Sequence, residues 1–75
     1  MVAQLDWRSR IAADPRVHHG EPCVKGTRVP VAVVVASLAD LPREALLEQF
    51  PQLTIDDVRA CLLFAAEASH RTVVA

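Results

Sequence analysis

The stretch Gly20-Glu21-Pro22-Cys23-Val24-Lys25-Gly26-Thr27-Arg28-Val29-Pro30-Val31 decides how this chain is read. It holds both glycines of the chain and two of its five prolines, so much of the strong backbone punctuation sits here. Pro22 opens a short β-prone run, Cys23-Val24. Lys25-Gly26 suits a two-residue turn, because Gly26 can adopt the positive φ that tight turns require. Thr27-Arg28-Val29 is expected to return as the second strand. Pro30 then stops the ladder and fits the first turn of a helix, where its missing N–H has no partner to lose. A β-hairpin leading into a helix is the expectation.

Outward from this centre, size and composition set the frame. A chain of 75 residues makes one domain, near the size at which a single core is only marginally stabilising. At 52% hydrophobic and 23% charged it is too apolar for a disordered chain. Alanine and valine supply most of that apolarity, and Trp7, Phe50 and Phe64 are the aromatics. So small a core invites completion by a partner, and a homodimer or a complex is expected. No run of about eighteen uncharged apolar residues occurs, so no spanning helix is expected. Asp6, Arg8 and Arg10 stand where a secretory leader would be apolar. A cytoplasmic chain with no membrane partner follows, and its cysteines, Cys23 and Cys61, are expected reduced and half-buried.

The halves differ in charge. Residues 1–30 carry five basic against three acidic side chains, whereas residues 31–75 carry three against six. Any phosphate contact should therefore come from the N-terminal half.

Taken in order, residues 1–10 form an N-terminal arm in which Leu5 and Trp7 alternate with Asp6 and Arg8, a pattern for a short strand or a docking segment. Asp14-Pro15 marks a turn. His18-His19 invites a metal reading with Cys23 nearby, but neighbours on a strand point to opposite faces, and the ligand set is incomplete. From Pro30 to Leu41, Val31, Val34, Val35, Leu38 and Leu41 recur at helical spacing. A second helix is expected from Pro42 or Arg43 to Phe50, with Leu46, Leu47 and Phe50 inward and Pro51 as its stop. Thr54-Ile55-Asp56-Asp57 reads as a capping box with Asp in the position usually given to Glu, opening a third helix that fades near Ser69 or His70. Its buried stripe is expected at Ile55, Val58, Leu62, Ala65 and Ala66, with Cys61 at the edge. The domain thus spans residues 11–70, with residues 71–75 as a tail. The expected fold is mostly α: a short hairpin followed by three tightly linked helices, which suits a helix-turn-helix.

The residues Gly20-x-Pro22-x-Val24-Lys25-Gly26-Thr27-Arg28-Val29-Pro30-Val31, followed by Phe50-Pro51-x-Leu53-Thr54-x-x-Asp57-Val58, resemble the "domain of unknown function 433" family over roughly residues 10–68. The resemblance implies a homeodomain-like helix-turn-helix behind a short β element. It further implies the antitoxin half of a type II toxin–antitoxin pair, its partner a small toxin resembling PIN-domain ribonucleases, with repression of its own operon as an added role. Asp40 and Pro42 depart from the family pattern, which usually has glycine after the first helix and a Ser or Thr cap before the second. The intervening turn is therefore expected to be re-formed.

No catalytic constellation and no cofactor motif is visible: there is no nucleophile elbow and no phosphate-cradling loop. Capping accounts for Asp56 and Asp57. For operator DNA, the candidates are Lys25, Arg28 and Arg59, although Asp56 and Asp57 would face phosphates with the wrong sign. Arg28 serves equally well as a clamp on the hairpin. For a protein partner, the candidates are Leu5, Trp7, Arg8, Arg10, Arg71 and Val73. An arginine among them can neutralise metal-binding carboxylates in a nuclease site. Two readings stand: a toxin-binding antitoxin, and a stand-alone dimeric DNA-binding regulator.

Overall fold

The computed structural model describes residues 6–16 and 18–72, the side chains of His18, Arg71 and Thr72 excepted. Leu5 and Val73 therefore lie outside the described residues. In order, a 3-10 turn at Trp7–Arg10 leads into β1 (Ile11–Ala12), a second 3-10 turn at His18–Gly20 into β2 (Cys23–Val24), and three helices follow: α1 (Val31–Ser37), α2 (Arg43–Gln49) and α3 (Ile55–Thr72). The fold is mostly helical with a short antiparallel pair near its N-terminus, as the sequence indicated.

The tight turn forms where expected. Thr27 N–H donates to Val24 O at 3.0 Å, and Gly26 takes φ +81°. Lys25 keeps a negative φ, so the turn is of the type II kind, which splays the flanking strands instead of matching their twist. Thr27 adds its own constraint: its Oγ1 donates to Val24 O at 2.8 Å and accepts from Val29 N–H at 3.0 Å. Residues 27–29 consequently form no second strand. The return leg is reduced to the Val24 N–H bond to Val29 O at 2.9 Å and a single bridge from Cys23 to Pro30. The strand that pairs with β2 is instead β1, antiparallel, with Ile11 opposite Val24 and Ala12 opposite Cys23.

The helices follow their local signals. Pro30 and Pro42 stand at the N-caps of α1 and α2 with φ −67°, the angle that the pyrrolidine ring already imposes. α1 is shorter than the apolar spacing implies. Ser37 Oγ donates back to Val33 O at 2.7 Å, and the next amides, Ala39 and Asp40, bond three residues back at 3.1 Å each. Such tightening into 3-10 geometry is how a helix end satisfies its carbonyls ahead of a proline. α3 opens on the expected capping box: Asp57 N–H donates to Thr54 Oγ1 at 3.2 Å, and Thr54 N–H donates to Asp57 Oδ2 at 2.9 Å. It runs on to Thr72, two residues past His70.

The core is a cluster of Val24, Val29, Val31, Val34, Leu46, Leu53, Val58 and Cys61, with Ile11, Val35, Leu38, Leu47, Phe50 and Phe64 packed around it. The inward faces of α1 and α2 are those the periodicity indicated. The face of α3 is not. Val58, Ala60 and Cys61 are buried, whereas Ile55 is 50% and Leu62 45% exposed. The helix is turned so that Cys61 points into the core and the Ile55–Leu62–Ala66 line points out. The Trp7–Arg10 turn lies against α3 and fixes that rotation, as described below.

Leu46 has no exposure, so Leu46→Ala removes most of a side chain from the core described above. The expected loss is about 2–5 kcal/mol, enough to unfold much of the population of a domain this size. Urea unfolding followed by circular dichroism measures it.

Candidate functional site

The residues of chemical interest gather around the first turn of α3. Asp57 caps the helix through Oδ2 and accepts from Arg10 Nη1 at 3.1 Å through Oδ1. Arg10 Nη2 also lies 3.6 Å from Asp56 Oδ2, and Asp56 Oδ1 lies 3.7 Å from Arg59 Nη1. Asp57 is the sheltered member, its side chain 13% exposed against 36% for Arg10. The Arg10 backbone is anchored as well, since its carbonyl accepts from Lys25 N–H at 2.8 Å. Two aspartates and two arginines therefore form a balanced set, and the positive end of the α3 dipole is already met by Asp56 and Asp57. A phosphate approaching this turn finds no net positive field.

Next along the helix, the Trp7 ring stands edge-on to Phe64, with centroids 5.8 Å apart at 86°. This geometry sets a ring edge against a π face and adds about 0.5–1.5 kcal/mol to the area buried. The Arg8 guanidinium lies over the Trp7 ring, 4.4 Å from its centroid. Trp7 and Arg10 are thus used by the fold itself. The strand expected for this segment does not form at Trp7–Arg10, because Ser9 N–H and Oγ both donate to Asp6 O, at 3.3 and 2.8 Å, and close a turn.

Beside Phe64, between α1 and α3, lies an open groove of about 410 Å³. Pro22, Val31, Ala32, Val35, Phe64 and Ala65 are among the residues that line it, and among the described residues Glu21 is its one charged side chain. The outer face of α3, opposite the core, is apolar too: Ile55, Leu62 and Leu63 are 50%, 45% and 40% exposed. Sequence reasoning missed this face by placing Ile55 and Leu62 inside. Apolar residues on nearly every side of α3 make its periodicity ambiguous, and no local signal chooses between the two registers.

The DNA candidates are all at the surface. Lys25 and Arg28 are exposed on the turn between β2 and α1, and Arg59 is exposed on the outer face of α3. Arg59 is shared with Asp56, and the Lys25 backbone meets Arg10, which the aspartates hold. Arg71 lies in the last turn of α3, its side chain outside the description.

Both cysteines are free, but they are buried and not half-buried as expected. Burial pushes the Cys61 thiol from 9.0 up to about 11, with a smaller push from the Asp57 carboxylate. Cys23 is raised by burial and by Glu21, and its Sγ sits 3.4 Å from Glu21 O. Neutral buried thiols are poor nucleophiles and poor metal ligands. Among the described residues no three His, Cys, Asp or Glu side chains gather in a way that would hold a metal ion, and no helix is long and apolar enough to cross a membrane.

Residues 11–65 match the family described as "Protein of unknown function (DUF433)". No curated protein and no solved structure matches the chain.

Asp57→Ala removes a cap and a charge-assisted bond together, and is expected to cost about 1–2 kcal/mol in urea unfolding. Arg10→Ala, at a part-exposed pair, is expected to cost about 1 kcal/mol or less. The folded Cys61 thiol holds its proton more tightly than the unfolded one, so its contribution is intact below about pH 9 and is lost as pH rises towards 11. Unfolding curves at pH 8 and above 10 should show that loss, and Cys61→Ala should reduce it, leaving the smaller share that Cys23 contributes in the same direction.

Proposed function

We propose that this chain, which belongs to the DUF433 family, is a protein-binding module that serves as the antitoxin of a type II pair and neutralises a small PIN-like ribonuclease toxin. One observation carries the choice between a protein partner and DNA. In a helix-turn-helix the third helix presents polar side chains to base edges, but here its outer face offers Ile55, Leu62 and Leu63 behind an acidic first turn. Such a face gains by meeting apolar surface and loses by meeting phosphate. The toxin's identity as a PIN-like nuclease comes from the family resemblance.

Magnitudes also separate the arginines offered for a nuclease site. Arg10 would have to leave two carboxylates. Arg8 would give up a contact with Trp7 worth about 0.5–1 kcal/mol at an exposed site, so Arg8 is the better candidate to reach acidic groups of a partner. Trp7 at its base is the aromatic anchor type that dominates binding hot spots. Autorepression would draw on Lys25 and Arg28, both exposed on one turn. The same pair supports the second reading, a stand-alone dimeric helix-turn-helix regulator, but a chain of net charge −1 supplies little non-specific attraction to DNA.

A tagged copy purified from its own host is expected to retain a small nuclease-type protein in fixed ratio. Expressed alone, that protein should arrest growth, and this chain should relieve the arrest. Arg8→Ala should weaken the relief more than Arg10→Ala, once the latter's loss of stability is allowed for. Recovery of DNA and self-associated chain alone, with binding that falls steeply as salt rises, would favour the regulator.

A further inference from the structure

The outer face of α3 has an order of side chains that complements itself when reversed. Leu63, 40% exposed, stands at its middle. Arg59 and Glu67 lie four residues to either side, and Asp56 and His70 lie seven to either side. Steps of four and seven keep all five on one side of a helix. None of the five is buried, and Ile55, Leu62 and Ala66 continue the apolar surface beside them. We infer that this face binds a second copy of the chain, α3 packing antiparallel on α3 about a two-fold axis through Leu63.

Charge selects both the occupant and its direction. Antiparallel pairing adds to the contacts these side chains already make within their own chain, where Asp56 lies 3.6 Å from Arg10 and 3.7 Å from Arg59. It sets Arg59 of one copy against Glu67 of the other, and Asp56 against His70, whose ring N–H donates to the carboxylate. A two-fold axis produces each of these contacts twice. Parallel pairing would instead set Arg59 against Arg59 and Asp56 against Asp56. The axis brings Leu63 onto its own copy, flanked by Leu62 and Ala66, so that the exposed apolar stripe is covered along its length. An 18-residue helix is about 27 Å long, and a seam confined to it falls short of the ~800 Å² per partner typical of stable complexes. The dimer is accordingly reversible. It rests on the reading of this face as protein-binding and leaves Trp7 and Arg8 open to a toxin.

Sedimentation equilibrium of the full purified chain tests the inference over a concentration range of about 1 µM to 1 mM, with circular dichroism confirming that each variant is folded. The unaltered chain should show a monomer–dimer equilibrium. Leu63→Glu should raise the dissociation constant by more than about tenfold, because it places two carboxylates on the axis. Arg59→Glu should weaken the dimer by about tenfold, and Arg59→Glu combined with Glu67→Arg should return it to within about threefold of the original. A chain monomeric at every concentration, a dimer that survives Leu63→Glu, or a double charge reversal that restores nothing would each overturn the inference. If Leu63→Glu fails to fold, the charge-reversal pair decides. Growth relief is read separately, so a monomer that still neutralises its toxin would end the dimer and leave the antitoxin reading standing.

Discussion

Asp57 is the constraint on which the arrangement depends. One oxygen accepts from the Thr54 amide and starts α3, and the other accepts from Arg10 and ties that start to the N-terminal turn. A side chain that only capped the helix would leave α3 free to rotate about its axis. By holding Arg10 as well, Asp57 fixes the rotation, and the Trp7–Phe64 contact one turn beyond Cys61 fixes it again. With both in place, Val58 and Cys61 enter the core, and the Ile55–Leu62 line faces away.

That rotation also decides which chemistry remains at the surface. The N-terminal half of the chain is its basic half, yet Arg10 is committed to aspartates and Arg16 to Asp14, 3.1 Å away. The acidic start of the third helix is balanced from within the protein. What the domain offers outward is therefore apolar surface edged by charges of both signs, the composition of a surface that meets protein. With a core of eight clustered side chains, such a domain stands to gain stability from any partner that covers those faces.

Polar detail is spent on local geometry in the same way. Thr27 serves the turn twice, as donor to Val24 O and as acceptor from Val29 N–H. Asp14 accepts from the Arg16 amide at 2.9 Å to close its own turn, and its carboxyl is held below the usual range by the bonds from Arg16. The described residues contain no buried side-chain nitrogen or oxygen without a partner.

What the sequence by itself determined was set within a few residues of chain. The turn at Lys25–Gly26, the proline starts of α1 and α2, the Thr54–Asp57 cap and the inward positions Val31, Val34 and Leu46 all follow from backbone restriction, capping chemistry or period. What only the tertiary structure decided depends on contacts between distant segments. Cys23–Val24 takes Ile11–Ala12 as its partner, because a type II turn and the Thr27 hydroxyl deny the ladder to residues 27–29. The outward turn of Ile55 and Leu62 follows from Arg10, 47 residues from Asp57 in the chain. The physical reason is that α3 is apolar around most of its circumference, so burial alone does not choose its face. An ion pair and an aromatic contact from the far end of the chain make that choice, and with it the surface left for a partner.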